Sequence, residues 1–229
     1  MRTLVVMIIS LFTGALAAQT PVNKNYPVSP GQKISLRFDY PELVKISTWD
    51  KNEISIAGSV SINGGENDAA FELLSSTSGN TIFIENKIRN LKELPQRITI
   101  VNQEEKITFK SKADYQKYCE ENGRNFNQRS EGVDMDILLE IKVPRNNEVK
   151  LESVYGMVEV KNYAGPLTVE ATYGGVDVTV LEKSMGEFTA ETNYGQIYSN
   201  LDFKFSGSAF DDFHTQVSAK LGSGPKYSF

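Results

Sequence analysis

The 229-residue chain has a single cysteine, Cys119, and a single histidine, His214. A disulfide needs paired cysteines, and zinc or multi-histidine centres need several thiolate or imidazole ligands, so the sequence predicts no disulfide, no metal site and no cofactor. It also has no run of Lys or Arg, and its formal net charge is −5. Because nucleic acids are bound through concentrated positive charge, nucleic-acid binding is not expected. Hydrophobic residues make up 40% of the chain and charged residues 23%, which is typical of globular proteins.

Residues 1–18 have the features of a secretory signal peptide. Arg2 precedes an apolar stretch from Leu4 to Phe12, and small residues precede Gln19. This stretch is shorter than the roughly 20 residues that cross a membrane, and no later stretch reaches that length. With no cysteine at the cleavage point, a lipid anchor is not indicated. We therefore expect an exported mature chain that begins near Ala18 or Gln19, without a membrane span.

Short runs with alternating apolar residues and many β-branched side chains predict strands throughout the mature chain. They lie at residues 33–38, 44–48, 53–57, 81–84, 97–100 and 135–143. The polar segment at about 110–131 differs, because Tyr115, Tyr118 and Cys119 are three and four residues apart and Gly123 could end a helix. We expect one short helix or a loop there, inserted into a single all-β domain over residues 19–229.

A Tyr-Gly pair occurs three times, at Tyr155-Gly156, Tyr173-Gly174 and Tyr194-Gly195. In each copy apolar residues stand six and four positions before the Tyr and three after it. A unit of this length cannot bury its own apolar face, so the repeat over residues 149–202 predicts a solenoid of stacked β-coils with parallel pairing. Two interior columns follow from it: Val149, Leu167 and Phe188, and Val158, Val176 and Ile197. A meander of antiparallel hairpins is the alternative.

The C-terminal segment repeats the entry into a coil. Gly224-Pro225-Lys226-Tyr227 matches Gly165-Pro166-Leu167. The earlier spacing would place the next corner about three residues beyond Phe229. We therefore expect the last coil to be incomplete in this sequence.

The repeat behind an export signal resembles the bacterial putative-adhesin family of unknown function with β-strand repeats. Residues 153–160, 171–178 and 191–197 carry the resemblance, and residues 44–54 look like the opening coil of that family. The resemblance implies a right-handed parallel β-helix-like fold and an adhesive role in the periplasm or at the cell surface of a Gram-negative bacterium. Its partners would be envelope or extracellular proteins or glycans.

Stacked coils would align Tyr155, Tyr173 and Tyr194 along one edge, about 5 Å apart. Such a row could bind sugar rings or a partner strand, or it could pack against the insertion or the opposite sheet. The only tryptophan, Trp49, lies in a polar turn and could cover that turn or stack on a carbohydrate.

Catalytic side chains are scarce. His214 is the only imidazole base, and no Gly-x-Ser-x-Gly motif presents a nucleophile. Glu159 and Asp177 follow successive tyrosines by four residues, so they could stand side by side as a carboxylate pair, a solvated face or a casual cation site. We therefore expect an exported, non-enzymatic β-solenoid that serves recognition or assembly at the bacterial cell envelope, and the family resemblance implies that it is adhesin-like. The alternatives are a carbohydrate-active enzyme, in which these acids and a Lys or Arg converge in a groove, and a module that assembles by strand pairing.

Overall fold

The computed structural model describes residues 19–102, 105–180, 184–202, 206–209 and 213–229. The predicted signal peptide, residues 1–18, lies outside the described residues. Within them the strands and the single α-helix are β1 Thr20–Pro27, β2 Lys33–Phe38, β3 Leu43–Trp49, β4 Glu53–Ile62, β5 Phe71–Ser78, β6 Thr81–Ile88, β7 Arg97–Asn102, β8 Glu105–Phe109, α1 Lys112–Asn122, β9 Gln128–Gly132, β10 Met135–Pro144, β11 Val149–Val160, β12 Leu167–Val178, β13 Glu187–Asn193, β14 Ser206–Ala209, β15 His214–Lys220 and β16 Lys226–Ser228.

Strands β11 and β12 form the centre of the main sheet. They pair in parallel along their whole length, with Val149 opposite Leu167 and Val158 opposite Val176. The parallel pairing predicted from the repeat is therefore confirmed for these two copies, and an antiparallel hairpin between them is excluded. The first part of β11 also pairs in parallel with β2, and its second part pairs in parallel with β3.

Both β11 and β12 turn a corner at their Tyr-Gly pair. Along β11 the buried side chains are Val149, Leu151 and Ser153 before the corner, and Val158 and Val160 after it. Inward-facing positions thus change from odd to even numbers at Gly156, where φ is +97°. A strand that changes phase in this way bends, so its two halves cover one shared hydrophobic core from two directions.

The remaining strands of the main sheet mix parallel and antiparallel pairs. Strand β10 pairs in parallel with β3 and antiparallel with β4, and β6 pairs in parallel with β2. The outer pairs β1 with β4, β5 with β6, β13 with β15 and β14 with β15 are all antiparallel. The all-β class is confirmed, while the right-handed parallel β-helix stays a prediction. No helix among the described residues is long and apolar enough to cross a membrane.

The third copy of the repeat does not pair directly with the second, which corrects the expected stack. Strand β16 lies between β12 and β13, and Tyr227 is opposite both Leu167 and Phe188. The first column is therefore continued through Tyr227, one residue beyond Lys226, which the Gly-Pro match would place opposite Leu167. The second column ends at Val176, because Ile197 lies in a segment without strand pairing.

A small antiparallel sheet and the helix form a separate cluster. Strand β7 pairs with β8 and with β9, and α1 follows β8. The shared core contains Ile98, Ile100, Phe109, Tyr115 and Cys119. Of the two alternatives expected near Tyr115, a short helix or a loop, the structure has the helix. The Ser111 hydroxyl accepts a hydrogen bond from the Asp114 amide (3.1 Å) at its start, and Gly123, with φ of +78°, ends it.

Candidate recognition surface

Three tyrosine rings stack face to face where the parallel strands turn their corner. The ring centroids of Tyr40 and Tyr155 are 5.1 Å apart, with 8° between the ring planes. Those of Tyr155 and Tyr173 are also 5.1 Å apart, with 19° between the planes. This distance is close to the spacing of neighbouring strands, so the pairing of β11 with β12 imposes it. We call Tyr40, Tyr155 and Tyr173 the tyrosine ladder.

The glycines after Tyr155 and Tyr173 are needed because the backbones at the corner approach each other closely. A Cβ atom at Gly174 would lie 1.8 Å from the carbonyl oxygen of Gly156. A Cβ atom at Gly156 would lie 1.9 Å from the carbonyl oxygen of Pro41. Since no side chain fits between backbones at these distances, the repeated glycine is explained by the stacking of one corner on the next.

Tyr194 does not belong to the ladder, contrary to the predicted row of three. It lies beyond β13, where its ring centroid is 5.3 Å from that of Phe213 and its amide donates to the Phe213 carbonyl (2.7 Å). The reason is the insertion of β16 between β12 and β13. Tyr40 supplies the third ring instead. Sequence reasoning missed it because the following residues are Pro41 and Glu42, with no glycine.

The ladder becomes more exposed toward β12. Tyr155 is 42% exposed and Tyr173 is 66% exposed, and the neighbouring Met157 is 45% exposed. Face-to-face stacking covers both faces of Tyr155, which leaves its edge in contact with solvent. Tyr173 is the last ring of the ladder among the described residues. Its outer face is therefore the surface on which a planar or apolar ligand group could stack.

Charged side chains form rows on the outer face of the same strands. The Lys150 ammonium lies 2.7 Å from a Glu152 carboxylate oxygen and 3.1 Å from one of Glu170, and Arg37 lies 3.0 Å from Glu152. Lys150, followed by Arg37, holds the pKa of the Glu152 carboxyl below its usual value despite partial burial. These rows align β2, β11 and β12 from outside the core.

A second row runs through the acids that sequence reasoning considered as a carboxylate pair. Glu159 is opposite Asp177 on β12 and opposite Lys45 on β3. The Glu159 carboxylate lies 3.1 Å from the Lys161 ammonium and 4.0 Å from that of Lys45. Asp177, at the end of the row, has no cationic partner among the described residues. The described part of the chain contains no group of three or more His, Cys, Asp or Glu side chains placed to hold a metal.

The single tryptophan covers a turn. The Trp49 indole N–H donates to the Glu53 carbonyl (2.7 Å), and the Lys51 ammonium lies 4.7 Å from the centre of the indole ring. A shallow cavity of about 210 Å³ lies beside it, lined also by Asp50 and Arg145, which are joined by an ion pair of 2.6 Å. These contacts occupy the indole N–H and one face of the ring.

His214 and several acidic side chains also have local partners. His214 Nε2 lies 3.1 Å from the Glu191 carboxylate across the β13–β15 pair. Asp134 forms an ion pair with Lys106 (2.8 Å), and the Gln19 amide donates to Asp136 (3.2 Å). Partial burial and then the nearby Asp136 carboxylate raise the pKa of Glu42, at the turn before β3.

The chain is similar to several solved structures, two of which are described here. No family model and no curated protein matches the chain. The first structure is described as a "putative cell adhesion protein" from Clostridium sporogenes, with 12% identity over 91% of this chain and 93% of that one, and a TM-score of 0.42. The second is described as a "putative adhesin" from Bacteroides fragilis, with 14% identity over 70% of this chain and 62% of that one, and a TM-score of 0.31. At these values the likenesses identify neither a family nor a function for this chain.

Proposed function

We propose that this protein is an exported, non-enzymatic, adhesin-like recognition protein of the Gram-negative cell envelope, in the periplasm or at the surface. Residues 19–229 would form one domain, and its central coils would be those of a right-handed parallel β-solenoid. Tyr155 and Tyr173 contact the ligand, an envelope protein or a glycan. Tyr194 offers a separate exposed ring beyond β13. The observation that carries the proposal is the tyrosine ladder, which ends in the exposed face of Tyr173.

Rigidity and exposure support this role. Each ladder ring is attached to a corner held by backbone pairing, and the Ser153 hydroxyl donates to the Tyr155 carbonyl (3.1 Å) within the corner. An exposed aromatic side chain that is already ordered loses little conformational entropy when it binds. Exposed aromatic groups on a rigid scaffold are typical of interfaces, where they provide much of the binding energy.

The arrangement of the acids supports a non-enzymatic role. A glycosidase needs one carboxyl group as an acid and a second as a base or nucleophile, both facing the substrate. Glu159 is instead engaged by two lysine side chains, and Asp177 stands on the exposed outer face of β12. Neither acid lines the cavity beside Trp49.

A glycan array and isolated envelope fractions test the recognition role. We expect Tyr173→Ala to weaken binding at least several-fold, because it removes the exposed stacking face. Tyr198→Ala is the matched control, since Tyr198 is 86% exposed and lies outside the ladder. Equal loss in both variants, or unchanged binding by the Tyr173 variant, contradicts the proposed site. Fractionation of cells that express the full chain tests export, with recovery in the cytoplasm as the contrary result.

A further inference from the structure

Among the residues that the structure describes, the edge of β12 that faces away from β11 is paired only at its beginning. Strand β16 pairs with Leu167 and Thr168 and with no later residue of β12. Beyond this point β16 follows β13, because the Phe229 amide donates to the Thr189 carbonyl (3.0 Å) and the Phe229 carbonyl accepts from the Glu191 amide (2.8 Å). Residues 170–178 therefore present an unpaired strand edge within the described part of the chain.

Burial of the core side chains shows the same open edge. Val158 and Val160 on β11 have 0% exposure, because β3 and β12 flank them. Their register partners Val176 and Val178 on β12 are only partly buried. The core on this side is thus covered as far as β11 and is incompletely covered at β12. One additional strand beside residues 170–178 would bury both valines.

This edge lacks the proline and lysine residues that keep many strand edges from pairing. The outermost strand at the other end of the main sheet, β1, carries Pro21, Lys24 and Pro27, which discourage addition of another strand. Residues 170–178 contain neither proline nor lysine. β16 already shows that a parallel strand fits against the beginning of this edge. Continuing its direction gives the position of an added strand.

Three features of β12 specify the added strand. Tyr173 ends the tyrosine ladder, so the opposite residue would be aromatic and stack on it. A Cβ atom at Gly174 would clash with the backbone of Gly156, and by the same geometry the residue opposite Gly174 would be glycine. Asp177 ends the charged row without a cationic partner in the described part of the chain, so a Lys or Arg on the added strand would be complementary to it.

We propose that residues 170–178 accept a parallel strand from a partner protein, with the pattern aromatic-Gly-x-apolar followed by Lys or Arg. The aromatic residue stacks on Tyr173, the apolar residue lies beside Val176, and the basic residue pairs with Asp177. This assignment rests on the recognition role proposed above and makes the ligand an extended polypeptide.

The chain's own repeats fit this position less well than such a partner does. The first two copies carry Glu159 and Asp177 at the place where a basic residue is required, and the third carries Tyr198. A second copy that offered either of the first two repeats would place an acid against Asp177. Like charges on directly opposite residues of paired strands are destabilising, which disfavours self-association through this edge.

Two peptides and two forms of the protein test the proposal by fluorescence anisotropy. One peptide copies residues 170–178 with Lys in place of the acid equivalent to Asp177, and the control peptide keeps the acid. The wild-type protein should bind the Lys peptide about two- to five-fold more tightly, as an exposed ion pair allows. The Asp177→Lys protein should reverse this preference. Replacing the peptide tyrosine by alanine should weaken binding about two- to ten-fold through loss of stacking.

Charge reversal separates the proposal from general damage, because a misfolded variant would lose affinity for both peptides alike. The proposal is overturned if the wild-type protein binds neither peptide. It is also overturned if Asp177→Lys does not reverse the preference between the two peptides. Slow amide exchange of residues 170–178 in the free protein also overturns it, since the chain would then cover its own edge. Dimerisation of the wild-type protein that the Asp177→Lys substitution abolishes would also overturn the proposal, because a second copy of the chain would then occupy the edge.

Failure of this inference can be distinguished from failure of the recognition role. If envelope binding depends on Tyr173 but neither peptide binds, the strand-addition proposal alone is wrong. If the peptides show the reversal but envelope binding is insensitive to Tyr173→Ala, the contact site proposed for the envelope ligand is wrong and the open edge remains.

Discussion

Replacement of Gly174 by alanine tests whether the corners of β11 and β12 are stacked. The added Cβ atom would lie 1.8 Å from the carbonyl oxygen of Gly156 and 2.7 Å from its carbonyl carbon. Because these are backbone atoms held in a paired strand, relief requires movement of the strand. Overpacking of this kind lowers the free energy of unfolding by about 1–3 kcal/mol. For a chain of this size, a melting temperature lower by about 2–12 °C follows.

Gly175→Ala is the matched control for that substitution. Its Cβ atom would meet only Met157, at 3.0 Å from Sδ and 3.1 Å from Cε, which is the flexible end of an exposed side chain. Both substitutions reduce the conformational freedom of the unfolded chain by the same amount, so that contribution cancels. Urea denaturation of both variants provides the comparison. If Gly174→Ala is no more destabilising than Gly175→Ala, the stacked corner is refuted.

Three further outcomes are expected. Tyr155→Ala removes two ring stacks and should lower the free energy of unfolding by about 1–3 kcal/mol. Tyr173→Ala removes one stack and should lower it by about 0.5–1.5 kcal/mol. Equal losses of the two variants in urea denaturation would contradict the ladder. Glu152→Gln should lower the free energy of unfolding by about 0.2–1 kcal/mol at pH 7, because it removes the ion pairs of the carboxylate. This difference should vanish as the pH falls through the lowered pKa of Glu152, since the wild-type carboxyl is then also neutral. A difference that persists at pH 2 would exclude the ion pairs as its cause. Phe109→Ala should lower the free energy of unfolding of the small core by about 3–5 kcal/mol and expose Cys119 to thiol reagents. The fluorescence of the single tryptophan, which lies in the main sheet, should stay unchanged. Slow labelling of Cys119 in this variant would contradict the separate core.

The register of β11 and β12 could be predicted from the sequence because both copies obey the same spacing without an insertion. Tyr155 and Tyr173 are 18 residues apart, and the inward-facing apolar residues Val149, Leu151 and Val158 have the apolar equivalents Leu167, Val169 and Val176 in β12. Parallel pairing of equal-length coils then requires equivalent residues to be opposite each other. The reason for the glycine became clear only from the distance between the two corner backbones.

The position of the third copy could not be predicted in the same way. Its spacing of 21 residues is compatible with an extended turn before β13, and nothing local indicates that β16 lies between β12 and β13. Strand order depends on contacts between residues far apart in sequence, such as Leu167 with Tyr227. The Gly-Pro match at Gly224-Pro225 indicated a coil entry, but not the neighbours of that coil.

The small sheet around α1 was partly hidden for a different reason. The alternating pattern of residues 97–100 predicts a strand but does not say to which sheet the strand belongs. The strands at 105–109 and 128–132 are short and polar, so their patterns resemble loops. Only the apolar residues Ile98, Ile100 and Phe109, packed on the helix, show that these segments share a core of their own.

Nuclear Overhauser effects between β11 and β12 provide the most direct measurement of the stacked corners. Ring protons of Tyr155 should give cross-peaks with those of both Tyr40 and Tyr173, and backbone contacts should join Val158 to Val176 with the pattern of parallel strands. Cross-peaks that join Tyr173 to Tyr194 instead, or backbone contacts of an antiparallel hairpin between β11 and β12, would contradict the tyrosine ladder and the recognition surface built on it.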